Sequence, residues 1–308
     1  NQVHVASSGL ALEWIQNRFP KVNCFDLSHD LEVSYSKHWP QWLKQATKAG
    51  QWSSWMKQDE RWLNQLGIDF DLVISDSRPG FHQKGSRNIF ISHQLHVMLP
   101  RGIYGYVNRR FWSKIEHFKH IWVPDFEQGI SRAMNHDILP SHLKARVNYI
   151  GFISQFMHSN LESNSEEFGL ALLSGPEPHR SILEASLCSL QQKFPIKIIG
   201  GKQGNFASTS KIIRDLDQAS YVICRTGYSS IMDQYFLKNK CIWVPTPGQG
   251  EQLTLGKELK NRGQMVISQK ALEDAFDPSG AKRINPRQLE GPQDSWKELL
   301  LGFGARLS

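Results

Sequence analysis

Between Ala219 and Asp233 the chain reads Ala-Ser-Tyr-Val-Ile-Cys-Arg-Thr-Gly-Tyr-Ser-Ser-Ile-Met-Asp. An apolar run ends at Cys224 or Arg225, and a turn of small residues then opens a helical pattern. A helix start leaves backbone N–H groups without intrahelical partners, and its dipole favours negative charge. Thr226, Ser229 and Ser230 add hydroxyls beside those groups, and Gly227 lets the backbone approach a ligand closely. A phosphate suits that chemistry. Asp233 follows Ser230 and Ser229 by three and four residues, which puts it on their helix face. There its carboxylate can accept hydrogen bonds from ribose hydroxyls. Ile231, Met232, Tyr235 and Phe236 are expected to form the opposite, core-facing stripe. The plain alternative makes Thr226 and Ser229 helix caps and Asp233 a solvated residue.

Other junctions carry similar groups. Pro245-Thr-Pro-Gly-Gln249-Gly-Glu251-Gln252 sets amides and a carboxylate on a Pro/Gly loop, donors and acceptors suited to sugar hydroxyls. Ser174-Gly175-Pro-Glu-Pro178 follows an apolar run, with small residues free to approach a pyrophosphate. In the first half, Asp76-Ser-Arg78-Pro-Gly80 and Ser92-His93-Gln94-Leu95 also follow apolar runs. All are expected to face one cleft. His93 is a candidate acid/base or polar anchor there, the alternative being a positioning hydrogen bond at a strand end.

The elements that must position these residues are legible as short apolar runs. They start at Asp71, Asn88, His120, Asn148, Gly169, Ile196, Tyr221, Cys241 and Met265, and near-continuous Val/Ile/Leu content marks strands covered on both faces. Helical patterns lie between them, as over 180–194 and 249–262, with another in the tail over 294–301. Strand–helix repetition gives an α/β fold with parallel sheets and right-handed crossovers. The polar stretch 154–167 reads as a linker. The expected division is therefore a first domain over 1–153, a linker over 154–167, a second domain over 168–290 and a terminal helix over 291–308. Two Rossmann-like domains of this kind would face one another across a central cleft.

Composition agrees with that division. A length of 308 residues exceeds what one hydrophobic core usually organises. The formal charge of +7 permits an anionic partner, and most of the excess precedes Phe152. No apolar run is long enough to span a bilayer, and the start Asn1-Gln-Val-His-Val5 has no signal-peptide pattern. The four cysteines show no paired spacing, so a reducing cytoplasm is expected, with Cys224 and Cys241 as small core residues. The twelve histidines show no metal-ligand spacing.

The second half resembles the C-terminal domain of the family 28, MurG-like glycosyltransferases. The matching elements are Ser174 to Pro178, Arg225-Thr-Gly227 through Asp233, and Pro245 to Gln252. They are similar, more closely still, to uncharacterised bacterial members, and the resemblance covers most of 168–263. It implies a two-domain GT-B fold and a nucleotide-diphosphate sugar as donor substrate, with no separate cofactor and no metal. By position, Gly227 and Ser229 would face the diphosphate, Asp233 would take a ribose role usually given to Glu, and Gln249 and Gln252 would touch the sugar. Ser174, Gly175, Arg225, Thr226, Ser230 and Glu251 complete the expected donor set, while Asp76, Arg78 and Gln94 fall on the acceptor side. Ser92-His93-Gln94 is similar to an acceptor-half element of the family. Val3 to Ala6 looks like a second Rossmann strand, and the family's first strand and Gly-rich loop have no counterpart.

Residues 101–120 combine five Lys/Arg with Tyr104, Tyr106, Phe111, Trp112 and Phe118. That mixture suits an anionic membrane surface and a lipid-linked acceptor. No nucleic-acid motif accompanies it, so nucleic acid is not expected as a partner. A helix with an aromatic core stripe and a solvated basic face is the plain alternative. The reading that results is a metal-independent hexosyl-type transferase, cytoplasmic and peripheral at the membrane. An epimerase of the same fold and a catalytically silent nucleotide-sugar-binding protein are its alternatives.

Overall fold

The computed structural model describes residues 2–27, 56–97, 101–134, 138–157, 166–200, 209–285, 289 and 295–302. The chain divides into two compact units, Asn1–Ser34 with Trp296–Ser308, and Tyr35–Ser295. In the first, β1 (His4–Ser7), α1 (Gly9–Arg18) and β2 (Asn23–Asp26) make a parallel βαβ turn with His4 opposite Asn23. β2 is absent from the expected strands, because its Asn and Asp ends break the apolar run. The terminal helix α10 spans Ser295–Gly302.

The larger unit holds two parallel sheets. The first has the order β3 (Leu72–Asp76), β4 (Arg87–Ile91), β5 (His120–Val123), β6 (Val147–Tyr149). Residues 56–65 form a helix, α2, before it, and α3 (Arg101–Ile115) and the short α4 (Ser141–Lys144) join its strands. β3 is an edge strand with alternating burial, and Ile74 lies on its open face.

The second sheet contains β7 (Glu166–Leu172), β8 (Ile196–Ile199), β9 (Ala219–Cys224), β10 (Cys241–Trp243) and β11 (Met265–Val266). Their spatial order is β8-β7-β9-β10-β11, all parallel. The two-residue period of a strand divides its side chains between two cores. Leu170, Val222, Cys224, Cys241 and Trp243 face α6 (Thr209–Gln218), α7 (Tyr228–Leu237) and α8 (Gly250–Asn261). Ala171, Tyr221, Ile223, Ile242 and Val244 face α5 (His179–Leu190) and α9 (Leu272–Ala275). Complete burial of a side chain such as Ile242 stabilises by roughly 1.5–3 kcal/mol. All nine apolar runs of this unit contain a strand, as read.

Of the expected linker, 158–165 lie outside the described residues, and Glu166 and Glu167 already belong to β7. Phe126, Ile130, Met134 and Phe152, which precede it, and Phe156 within it pack into the α6–α8 face of the second sheet. The expected α7 residues Ile231, Met232, Tyr235 and Phe236 all pack on that core, but the most deeply buried set is a different one. Tyr228, Ile231, Gln234 and Leu237 are its buried residues, whereas Met232, Tyr235 and Phe236 are only partly covered. Spacing by three carries the most buried line through a tyrosine and a glutamine.

Candidate functional site

β7 lies between β8 and β9, so the chain leaves β7 toward one side of the sheet and returns on the other. The loops that follow β7 and β9 therefore diverge, and in open parallel sheets ligands bind in the crevice at such a reversal. These loops hold Ser174-Gly175 and Arg225-Thr226-Gly227.

Arg225 is 1% exposed, and its guanidinium donates to the carbonyls of His179 (2.8 Å), Val244 (3.2 Å) and Pro245 (3.4 Å). It thus ties together the loops after β9 and β10 and the start of α5. Thr226 is fully buried, and its hydroxyl donates to the Gln252 carbonyl at 2.7 Å. Both side chains are enclosed, the Thr226 hydroxyl is bonded and the Arg225 Nε alone of that guanidinium lacks a protein partner, so each sits behind the backbone of its loop. Burial lowers the Arg225 pKa to about 10, so the group still carries its charge at neutral pH. No carboxylate among the described residues pairs with it. The charge is felt nearby, since burial and then Arg225 lower the pKa of His179.

Gly227 is the N-cap of α7, and no side chain caps that helix. Thr226 and Ser229 are therefore not its caps. Ser229 is exposed and Ser230 half-buried beside the helix start. Asp233 is half-buried, its pKa raised by burial, and one carboxylate oxygen accepts from the Ser154 hydroxyl at 2.5 Å. The second oxygen remains for other donors. Ser174 and Gly175 are exposed, with Gly175 at φ +94, a backbone conformation that favours glycine.

After β10, Gln249 is the N-cap of α8, again without a side-chain cap. The Gln252 side-chain carbonyl accepts from the Thr246 backbone at 2.9 Å, which leaves its amide NH2 as the outward group. Gly256 permits this packing, because a Cβ there would meet Pro245 at 2.7 Å.

On the first sheet, Asp76 ends β3 exposed and accepts from the hydroxyl of Ser77, itself at φ +56. Arg78 forms an ion pair with buried Asp59 at 2.6 Å. That pair anchors α2 to the loop after β3 that is expected on the acceptor side. Gln94 is half-buried, with its backbone N–H bonded to the Ser92 hydroxyl at 3.2 Å.

His93 meets the other sheet. Its Nε2 lies 3.0 Å from a Glu251 carboxylate oxygen, and its ring stacks on Tyr228 at 4.2 Å between centroids and 8° between planes. Tyr228 is 4% exposed, and its hydroxyl donates to the Pro124 carbonyl at 3.3 Å beside the Asp125 carboxylate. Asp125 is fully buried and accepts from the backbone of Phe126 (2.7 Å) and Ser131 (2.5 Å). Burial raises its pKa against those bonds. Burial and the Asp125 charge raise the Tyr228 phenol. Neither residue was read as functional from the sequence, although Asp125 follows β5 as Asp76 ends β3.

The sequence also holds two Asp-x-Asp triplets that the metal-independent expectation passed over, Asp69-Phe-Asp71 and Asp215-Leu-Asp217. The first precedes β3 and the second lies within α6, away from the carboxyl ends of strands. Among the described residues no three His, Cys, Asp or Glu side chains are grouped to hold a metal ion. In α3 and the turn after it, Phe111, Trp112 and Phe118 pack into the first sheet's core, and Tyr106, Arg109, Arg110 and Lys119 are exposed. The side chains of 101–104 lie outside the described part. No described helix is long and apolar enough to cross a membrane.

The sequence matches no protein-family model and no curated protein. Solved structures do match. Arabidopsis thaliana UGT89C1 complexed with UDP-L-rhamnose superposes with a TM-score of 0.63 at 11% identity, covering 98% of this chain and 90% of that one. Acinetobacter baumannii MurG gives 0.54 at 12% identity, with 97% and 98% covered. The spinosyn rhamnosyltransferase SpnG complexed with thymidine diphosphate gives 0.53 at 9% identity, with 89% and 90% covered. At such identities the likeness concerns architecture, and the chain has the GT-B fold of these enzymes.

Proposed function

We propose that the chain transfers a glycosyl group from a nucleotide-diphosphate sugar. The observation that carries this reading is the buried Arg225 charge, without a carboxylate partner among the described residues, two residues before Gly227, the N-cap of α7, which has no capping side chain. An unpaired buried cation and a helix N-terminus both favour an anion at the crevice between β7 and β9. In this reading the diphosphate lies on the backbone N–H groups opening α7, with the Ser229 and Ser230 hydroxyls. Ser174 and Gly175 form the opposite wall. Asp233 takes the ribose through its second oxygen, and Gln249, Glu251 and the Gln252 amide face the sugar.

The same groups stabilise the departing diphosphate as its charge grows, with no reorganisation at the moment of reaction. A hexosyl group then needs no metal to leave, so turnover is unchanged by chelators. The acceptor side holds His93, Gln94 and Asp76, and the exposed Arg109, Arg110 and Lys119 would meet anionic headgroups presenting a lipid-linked acceptor in the cytoplasm.

Calorimetric titration with UDP, dTDP and GDP tests the donor site. Binding of one of them supports it, and failure of all three removes it. Incubation with the matching nucleotide sugar should then release free nucleotide diphosphate; an epimerised sugar would overturn transfer.

A further inference from the structure

We infer that Tyr228 makes donor binding and the ordering of the His93 loop a single event, a role that rests on the donor site proposed above. Tyr228 is the first residue of α7, so its backbone N–H belongs to the helix start assigned to the diphosphate. Its side chain lies in the core of its own sheet and also touches loops of the other. The ring stacks on His93, meets Phe152 edge-on at 6.2 Å, and its hydroxyl is bonded to Pro124 beside Asp125. The start of α7 therefore cannot shift without disturbing the stack on His93 or the hydroxyl tie after β5.

The far side of the His93 ring closes the connection. Its bond to Glu251 leads back to the first turn of α8, the loop assigned to the sugar. A ligand that fixes the starts of α7 and α8 thereby fixes both partners of His93. Tyr228 is a positioning residue in this scheme, since it contacts the ligand by backbone alone and acts through His93. Coupling between two sites is reciprocal, so the factor by which donor binding steadies the loop equals the factor by which the steady loop favours the donor.

The test uses the full chain and UDP, with dTDP as a second probe. Amide exchange over 92–97 is measured free and at saturating nucleotide. In the unmodified chain, nucleotide should slow that exchange by about tenfold. In Tyr228→Leu, which stays apolar and loses the stack, nucleotide should still bind but the slowing should vanish. Tyr228→Phe, which keeps the ring and loses the hydroxyl, should retain part of it and serves if the leucine variant fails to fold. By reciprocity, His93→Ala should raise the nucleotide Kd by the factor lost in exchange. Equal slowing in all variants, or nucleotide binding with no slowing in the unmodified chain, would overturn the coupling and leave the donor site standing. If neither nucleotide binds, the donor site itself falls and the coupling with it.

Discussion

The two sheets of the larger unit are built from the same kind of strand and differ in order. The first runs β3-β4-β5-β6 without reversal, and the second reverses at β7. In open parallel sheets the crevice falls at such a reversal, and there Gly227 opens α7 without a capping side chain. The first sheet instead contributes loop residues that lean on the second: His93 after β4 and Asp125 after β5. In the proposed reading a parallel sheet becomes a binding surface through its connection order, while a sheet without reversal serves as a source of groups.

Removing Arg225 should break the comparison most severely. Arg225→Leu leaves three carbonyls without their donor and deletes the crevice's fixed charge. Roughly 3–5 kcal/mol of stability should be lost, read as a lower urea midpoint. A variant with wild-type stability and nucleotide affinity would make the second sheet no more specialised than the first.

Asp233→Ala leaves the fold's loop clasp intact and removes one carboxylate. Nucleotide affinity should fall by about 1–3 kcal/mol. Calorimetry showing unchanged affinity for the nucleotide and equal affinity for its deoxyribose form would remove Asp233 from the ribose role.

The smallest effect belongs to the contact between the sheets. His93 and Glu251 are half-exposed, so a double-mutant cycle of His93→Ala and Glu251→Gln should give a coupling of about 0.2–1 kcal/mol in unfolding free energy. Zero coupling would reduce the pair to coincidental neighbours and sharpen the division between the two sheets.

Strand positions were legible because burial on both faces leaves an apolar run that needs no knowledge of partners. β2 was not, since Asn23 and Asp26 flank only two apolar residues. The junction loops were legible from small residues after such runs. The direction of their long side chains was not. Arg225, Thr226 and Arg78 have polar types that suggest ligands, and their actual partners lie many residues away in sequence. Tyr228 was hidden for the same reason: its stacking partner comes from the other sheet, which no local pattern can announce.

The aromatic residues before and at the start of the 154–167 stretch have a consequence for exchange of parts between homologous proteins. Phe126, Phe152 and Phe156 complete the core under α7 and α8, although the sequence assigns the first two to the first half and the third to the linker. A hybrid joined at the polar stretch would inherit a second half with foreign residues in its own interior. The workable crossover lies upstream, where β5 ends at Val123, so that the segment from Pro124 onward travels with the sheet it fills. The polar stretch marks a change of composition, and the inheritable module begins about thirty residues before it.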